Sequence, residues 1–225
     1  MSRTLRLTPA LVAKIPASIP DPGAIADISH LQTADIQAQT LDHVLSTRPD
    51  AGQFWVFAFG SLMWKPDFAF AERRPARAVG WHRSFCLGPD TRYRGNPKNP
   101  GIMLSLDRGG SCEGIAYRVD EARSSADIAM LIGREPPIPP EWIQADTEPG
   151  PVRALAFVCV PGGLGYVGDM TPDAVARQIA PAVGMFGSMA DYILNTASHL
   201  EDLGIHDPTV WQMQDLVAAE LEAMP

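Results

Sequence analysis

The apolar run FWVFAF at Phe54–Phe59 is the feature that most restricts how this chain can fold. Six consecutive apolar residues, four of them aromatic, are typical of a strand that is buried on both faces. The run ends at Gly60 and Ser61, residues that favour a turn over a continued strand. We therefore predict that the chain bends sharply as it leaves a strand that is buried on both faces.

The rest of the sequence predicts strands in the middle of the chain and helices toward its end. Further strands are expected at 76–87, 102–106, 113–119 and 152–160, with Gly109-Gly110 forming a hairpin between the second and third and a loop over 88–101. Helices are expected after Thr33, over 124–133 with Ser124 or Ser125 as the cap, from Thr171-Pro172, and over 189–203 and 208–224. Residues 1–29 form a proline-rich arm, laid over the body or partly loose. Together these elements predict an α+β domain with a mostly antiparallel, barrel-like sheet.

Charge and composition exclude several classes of protein. The 225 residues carry 18 Lys and Arg against 26 Asp and Glu, a net charge of −8, which argues against a nucleic-acid partner. No apolar run approaches the roughly 18 residues that a membrane-spanning helix needs, and N-terminal prolines interrupt any secretory signal. The three cysteines are widely spaced, and they form no CxxC pair and have no nearby histidine. We therefore expect neither a disulfide framework nor a zinc site. A reducing, cytoplasmic setting follows.

The positive charges are concentrated in one segment. Eight of the 18 basic residues lie between Lys65 and Lys98, whereas no Lys or Arg follows Arg177. A local positive field in an acidic protein suits an anionic small molecule. Charge alone leaves open the alternative that these side chains are simply solvated.

Two short motifs could carry chemistry. Successive N–H groups in the turn Gly60-Ser61-Leu62 could form a nest for a carboxylate or phosphate, although a strand-ending turn without function has the same sequence. Glu135 follows a short helix, beside Arg134 and before two prolines, where a desolvated carboxylate could act as a general base. An exposed Arg-Glu pair of little energetic worth is the alternative. The loop around Arg94 could bind an anion in bidentate fashion.

Several motifs in collinear order resemble the ChaC-like, glutathione-specific γ-glutamylcyclotransferases. They run from about Phe54 to Asp207 and are VFAFGSLMWKPDF, GWHRSFCLG, RG-x4-PG from Arg94, GGSCEGIAYRV, the Arg134-Glu135 pair, GYVGDMT and ADYILNTASHLEDLGIHD. The first fifty residues and the last fifteen or so are covered poorly. The resemblance implies a small mixed β-barrel flanked by helices, with residues 1–50 as an N-terminal arm and helix, 51–207 as the cyclotransferase domain and 208–225 as a C-terminal helix packed on it.

The resemblance also implies a reaction, the conversion of glutathione to 5-oxoproline and cysteinylglycine. It assigns the γ-glutamyl group to Phe59, Gly60, Ser61 and Leu62, and the catalytic carboxylate to Glu135. Tyr166 is implied as a further substrate contact, and Arg94 is predicted as another from its charge and its place in a loop. Because the substrate's own amine is the nucleophile, we expect no metal, no organic cofactor and no obligate protein partner.

One departure from the family's pattern keeps alternatives open. Phe59 stands where the family usually has tyrosine, so a phenolic hydroxyl is missing. The chain could therefore act on other γ-glutamyl amines or dipeptides, or bind a γ-glutamyl group without catalysis. Tyr93, where a histidine often precedes Arg-Gly, and the prolines after Glu135 are further departures.

Overall fold

The computed structural model describes residues 3–23, 31, 33–49 and 53–225, which form two compact units. Of the described residues, the first unit takes 3–23, 83–104 and 165–225, and the second takes 31, 33–49, 53–82 and 105–164. Strands β2 (Phe70–Asp90) and β3 (Gly101–Val119) supply residues to both units. The domain boundaries predicted at residues 50 and 207 stay predictions.

A mixed five-stranded sheet is the framework of the second unit. Its other strands are β1 (Trp55–Ala58), β4 (Pro140–Ala145) and β5 (Val152–Phe157), and the order is β2-β3-β1-β5-β4. Strand β1 pairs antiparallel with β3 and parallel with β5. All four residues of β1 are buried, which confirms the prediction of a strand covered on both faces.

The α+β class is confirmed, but among the described residues the strands do not close into a barrel. The edge strand β2 and the end of β4 meet at one antiparallel bridge, where Arg77 and Asp146 exchange two backbone hydrogen bonds of 2.9 and 2.8 Å. The edges are thus tied at a single point.

The predicted hairpin at Gly109-Gly110 is wrong, because β3 continues through both glycines as one strand. Gly109 and Gly110 have φ values of 100° and 64°, which only glycine adopts readily. The backbone can therefore take an irregular conformation at these two residues without ending the strand. Strand β2 is likewise longer than predicted and takes the first residues of the expected loop, through Asp90.

Two helices in the second unit match the predicted pattern. Helix α2 (Ala34–Ser46) begins as expected, with the Thr33 hydroxyl accepting the N–H of Ile36. Helix α3 (Ser124–Arg134) follows directly on a 3-10 helix, Glu121–Arg123. The predicted serine cap is therefore wrong, since the Ser124 hydroxyl donates to the Glu121 carbonyl instead.

The first unit is mainly helical, as the last third of the sequence predicts. Its elements are α1 (Pro9–Val12), α4 (Pro172–Ile179), α5 (Met189–Asp202), α6 (Pro208–Ala223) and a small hairpin of β6 (Val183–Gly184) and β7 (Gly187–Ser188). Thr171 caps α4 as predicted. No helix among the described residues is both long and apolar enough to cross a membrane.

The described part of the N-terminal arm, residues 3–23, is bound to the last two helices. Leu7 is buried, and its N–H and that of Arg6 donate to the Gln214 side-chain oxygen at 3.0 Å. Lys14 Nζ donates to the Leu221 and Met224 carbonyls at the end of α6. Of the two alternatives for the arm, these contacts favour one laid over the body.

One contact of the arm is expected to make the stability of the fold depend on pH. Arg3 donates to the buried Glu201 carboxylate through its N–H and guanidinium, which lowers the pKa of Glu201 from 4.5 to about 2. Because the folded-state pKa is depressed, this stabilisation is present above pH 4.5 and is lost as the pH falls toward 2. We expect Glu201→Gln to cost about 2 kcal/mol of unfolding free energy at pH 7. Urea titrations from pH 7 to 2.5 should show parent and variant converging, and a constant difference would contradict the assignment.

Candidate active site

The turn after β1 is built as a single 3-10 helical turn, Ser61–Met63. The first N–H that bonds within it is that of Met63, which donates to the Gly60 carbonyl at 2.9 Å. Leu62 and Met63 are buried, and the Tyr117 hydroxyl donates to the Met63 carbonyl at 2.8 Å from within the unit. Buried contacts therefore fix the turn, and the half-buried Ser61 is presented at its start.

Glu135 lies at the C-terminal end of α3, where its N–H donates to the Leu131 carbonyl at 2.9 Å. Its carboxyl side chain is only 21% exposed. Burial raises the pKa of Glu135 above 4.5, and the opposing charge of Arg134 only partly offsets that rise. The carboxylate is therefore a stronger base than an exposed glutamate would be.

Arg134 connects the turn to the carboxylate. Its Nη2 donates to Ser61 Oγ at 3.1 Å, and its Nε lies 3.6 Å from Glu135 Oε1. Its Nη1 donates to the Lys65 carbonyl at 2.9 Å and to Asp67 Oδ2 at 2.7 Å. The structure thus brings Ser61 and Glu135 to one guanidinium. The sequence analysis identified Arg134 only as the neighbour of Glu135. It did not identify Asp67 as a residue of the site, because its partner Arg134 lies 67 residues away along the chain.

Phe59, the residue in the place of the family tyrosine, is half-buried. Its ring packs against the apolar cluster that includes Trp55 and Phe57 of β1. An aromatic ring without a hydroxyl is suited to that apolar environment.

Arg94 and Tyr166 belong to the first unit, and their contacts with substrate stay predictions. Arg94 Nη1 donates to the Ser188 carbonyl at 3.3 Å, and the guanidinium lies 5.4 Å from the centre of the Tyr192 ring. Tyr166 pairs with Leu87 of β2 through a backbone bridge. Its phenol occupies the space where a side chain at Gly168 would project, which accounts for glycine there.

Much of the positive charge predicted for residues 65–98 is matched by carboxylates. Within the first unit Arg92 pairs with Asp21 at 2.7 Å and Arg83 pairs with Asp207 at 2.9 Å. Within the second unit Arg74 pairs with Glu72 at 2.6 Å. The positive field is therefore weaker than the sequence suggests, because Arg83 and Arg92 find partners in distant parts of the chain.

The described residues include no group of three or more His, Cys, Asp or Glu side chains placed to hold a metal ion. The chemistry available at the site is that of one half-buried carboxylate, one guanidinium, one hydroxyl and the N–H groups of a tight turn.

The sequence profile of the ChaC-like proteins matches residues 54–220. The glutathione-specific γ-glutamylcyclotransferase of Escherichia coli is 38% identical over 82% of this chain and 81% of its own length. The human glutathione-specific γ-glutamylcyclotransferase 1 is 33% identical over 69% of this chain and 73% of its own length. A crystal structure of the yeast γ-glutamyl cyclotransferase specific to glutathione shares the fold, with a TM-score of 0.70 and 19% identity over 75% of this chain and 96% of that one. The chain therefore belongs to the ChaC-like family.

Proposed function

We propose that this protein is a γ-glutamylcyclotransferase that converts glutathione to 5-oxoproline and cysteinylglycine. Family membership and the names of the relatives support the reaction. The observation that carries the assignment of the site is that Arg134 contacts Ser61 of the turn and also Glu135, which burial makes more basic.

The reaction needs positioning and proton transfer. The glutamyl α-amine attacks the γ-carbonyl carbon of the same molecule, a new C–N bond closes the five-membered ring, and the old amide C–N bond breaks. Holding the flexible glutamyl arm so that amine and carbonyl meet can lower the barrier by several kcal/mol.

Glu135 moves the protons. The glutamyl nitrogen starts as an ammonium group and ends as the single N–H of the ring, so it loses two protons, and the nitrogen of the departing cysteinylglycine gains two. In its ionised form Glu135 accepts each proton in turn from the glutamyl nitrogen, which attacks as the neutral amine, and passes it to the departing nitrogen. One carboxylate with a raised pKa can serve as base and acid in turn. Two protons leave one nitrogen and two reach the other, so the step consumes no water and leaves Glu135 ionised.

The turn after β1 binds the α-carboxylate of the glutamyl group. We assign the substrate's α-carboxylate to the N–H groups of Ser61 and Leu62, which precede the first N–H that bonds within the turn. Gly60, which is buried, and Phe59 complete this part of the proposed site.

Release of cysteinylglycine and 5-oxoproline from glutathione tests the proposal directly. We expect turnover of glutathione and none of the isomer in which glutamate is joined through its α-carboxyl group, because in that isomer the γ-carbon carries no amide and closing the five-membered ring there cannot release cysteinylglycine. Faster turnover of other γ-glutamyl amines or dipeptides would favour the broader donor range. Glutathione binding by calorimetry without any product would favour the non-catalytic alternative.

We propose a cytoplasmic setting for this activity. All three cysteines are buried as thiols, which a reducing compartment preserves.

A further inference from the structure

Asp67 holds an unusual backbone conformation. Its φ is 56°, and among the described residues it alone has a positive φ without being glycine. The left-handed region is unfavourable for residues with a side chain, although aspartate and asparagine tolerate it best. Such conformations persist only where surrounding contacts enforce them, and they are common at functional sites.

The contacts that enforce it join Asp67 to α3. Asp67 Oδ2 accepts a hydrogen bond from Arg134 Nη1 at 2.7 Å, and the same nitrogen donates to the Lys65 carbonyl at 2.9 Å. Two residues further on, the N–H of Ala69 donates to Asp127 Oδ2 at 3.3 Å. Because Asp127 lies in the first turn of α3 and Arg134 in its last, the segment 65–69 is bound at both ends of this helix.

The guanidinium held in this way determines the direction of a hydrogen bond in the proposed site. Arginine carries only donors, so Ser61 Oγ must be the acceptor of the 3.1 Å bond from Nη2. The hydroxyl hydrogen of Ser61 is then directed away from Arg134 and can be donated to another oxygen. A fixed donor of this kind stabilises negative charge that develops on a carbonyl oxygen during reaction.

Asp67 also determines which carboxylate Arg134 binds most closely. Of the two carboxylates that Arg134 contacts, Asp67 is at 2.7 Å and Glu135 is at 3.6 Å. If Asp67 is removed, the guanidinium can turn to Glu135 and shorten this 3.6 Å contact.

We propose that Asp67 is a positioning residue, which holds Arg134 so that Ser61 donates its hydroxyl hydrogen to the γ-carbonyl oxygen of the substrate and the ion pair between Arg134 and Glu135 stays at its longer distance of 3.6 Å. This inference rests on the proposed cyclotransferase activity. Under this inference the segment 65–69 contributes to the chemical step as well as to folding.

Asp67→Asn tests the charge, because asparagine keeps the shape and the tolerance for positive φ. We expect kcat on glutathione to fall about 10-fold or more with KM changed less than about 2-fold, as misplacement of catalytic groups usually acts on the chemical step. Asp67→Gly, which also accepts the backbone conformation, should show the same loss. Arg134→Lys combined with Asp67→Asn should be no slower than Arg134→Lys alone, because the two residues act as a unit.

A matched control is available elsewhere in the same unit. Glu141→Gln removes an exposed carboxylate that pairs with Arg108 at 2.9 Å, and we expect parent kinetics from it. Parent kcat in Asp67→Asn, or full additivity with Arg134→Lys, would overturn the inference while leaving the proposed function standing. A parent protein that releases no 5-oxoproline would instead overturn the proposed function.

Discussion

Glu135→Gln is expected to lower kcat on glutathione by about 10³-fold, within the range that a general acid-base residue contributes. Glutamine keeps the size of the side chain and can still fill its half-buried position, but it can neither accept nor return the proton. We expect binding of glutathione, measured by calorimetry, to be retained within a few-fold. Release of cysteinylglycine is the direct measurement of the loss.

The pH dependence of the parent provides a second measurement of the same group. Burial raises the pKa of Glu135 above 4.5, so the acid limb of kcat/KM should lie above that pH and activity should increase as the carboxylate ionises. The sign for stability is opposite: a carboxylate with a raised folded-state pKa opposes folding once it is ionised. At pH 7 we therefore expect Glu135→Gln to be no less stable than the parent.

Glu135→Asp is the companion variant, since it keeps the carboxylate and shortens its reach. Partial activity with a retained acid limb would agree with a proton-transfer role. If the Glu135→Gln protein turns over glutathione at the parent rate, this residue has no part in the mechanism. If that protein does not fold, the Glu135→Asp protein takes its place in the comparison.

The largest expected effect on stability comes from the buried pair of Arg83 and Asp207. The Arg83 side chain is 1% exposed, and its Nη1 donates to Asp207 Oδ2 at 2.9 Å. Asp207 Oδ1 meanwhile accepts the N–H of Val210 and caps α6. Because removal of one partner leaves a guanidinium charge buried, we expect Asp207→Ala to cost about 3–5 kcal/mol of unfolding free energy. Urea unfolding at pH 7 measures it.

Asp207→Asn separates the two roles, since asparagine keeps the helix cap and loses the charge. We expect Asp207→Asn to lower the free energy of unfolding by most of the amount that Asp207→Ala does. Glu222→Gln is the control. The side chains of Glu222 and Arg6, which pair at 2.6 Å, are both exposed, so we expect this substitution to change the unfolding midpoint little. An Asp207→Asn midpoint equal to that of the parent would show that the buried pair does not stabilise the fold.

Local patterns in the sequence predicted most of the helices and the central strand. The apolar run at Phe54–Phe59 and the caps at Thr33 and Thr171 act through neighbouring residues only, and each predicted element is present. The error at the predicted hairpin arose where long-range pairing overrode local preference. Gly109 and Gly110 favour a turn by themselves, but pairing along β3 keeps them within a strand.

The proposed site divides in the same way. The identities of Gly60, Ser61 and Glu135 and the chemistry open to them follow from residue type and motif order. The burial that raises the pKa of Glu135 depends on packing from elsewhere in the chain. The contacts of Arg134 with Ser61 and Asp67 span 73 and 67 residues and have no local signal. Sequence alone therefore determined which groups are present, whereas tertiary structure decided which of them meet and how strongly each holds its proton, because both depend on distances that only the folded chain fixes.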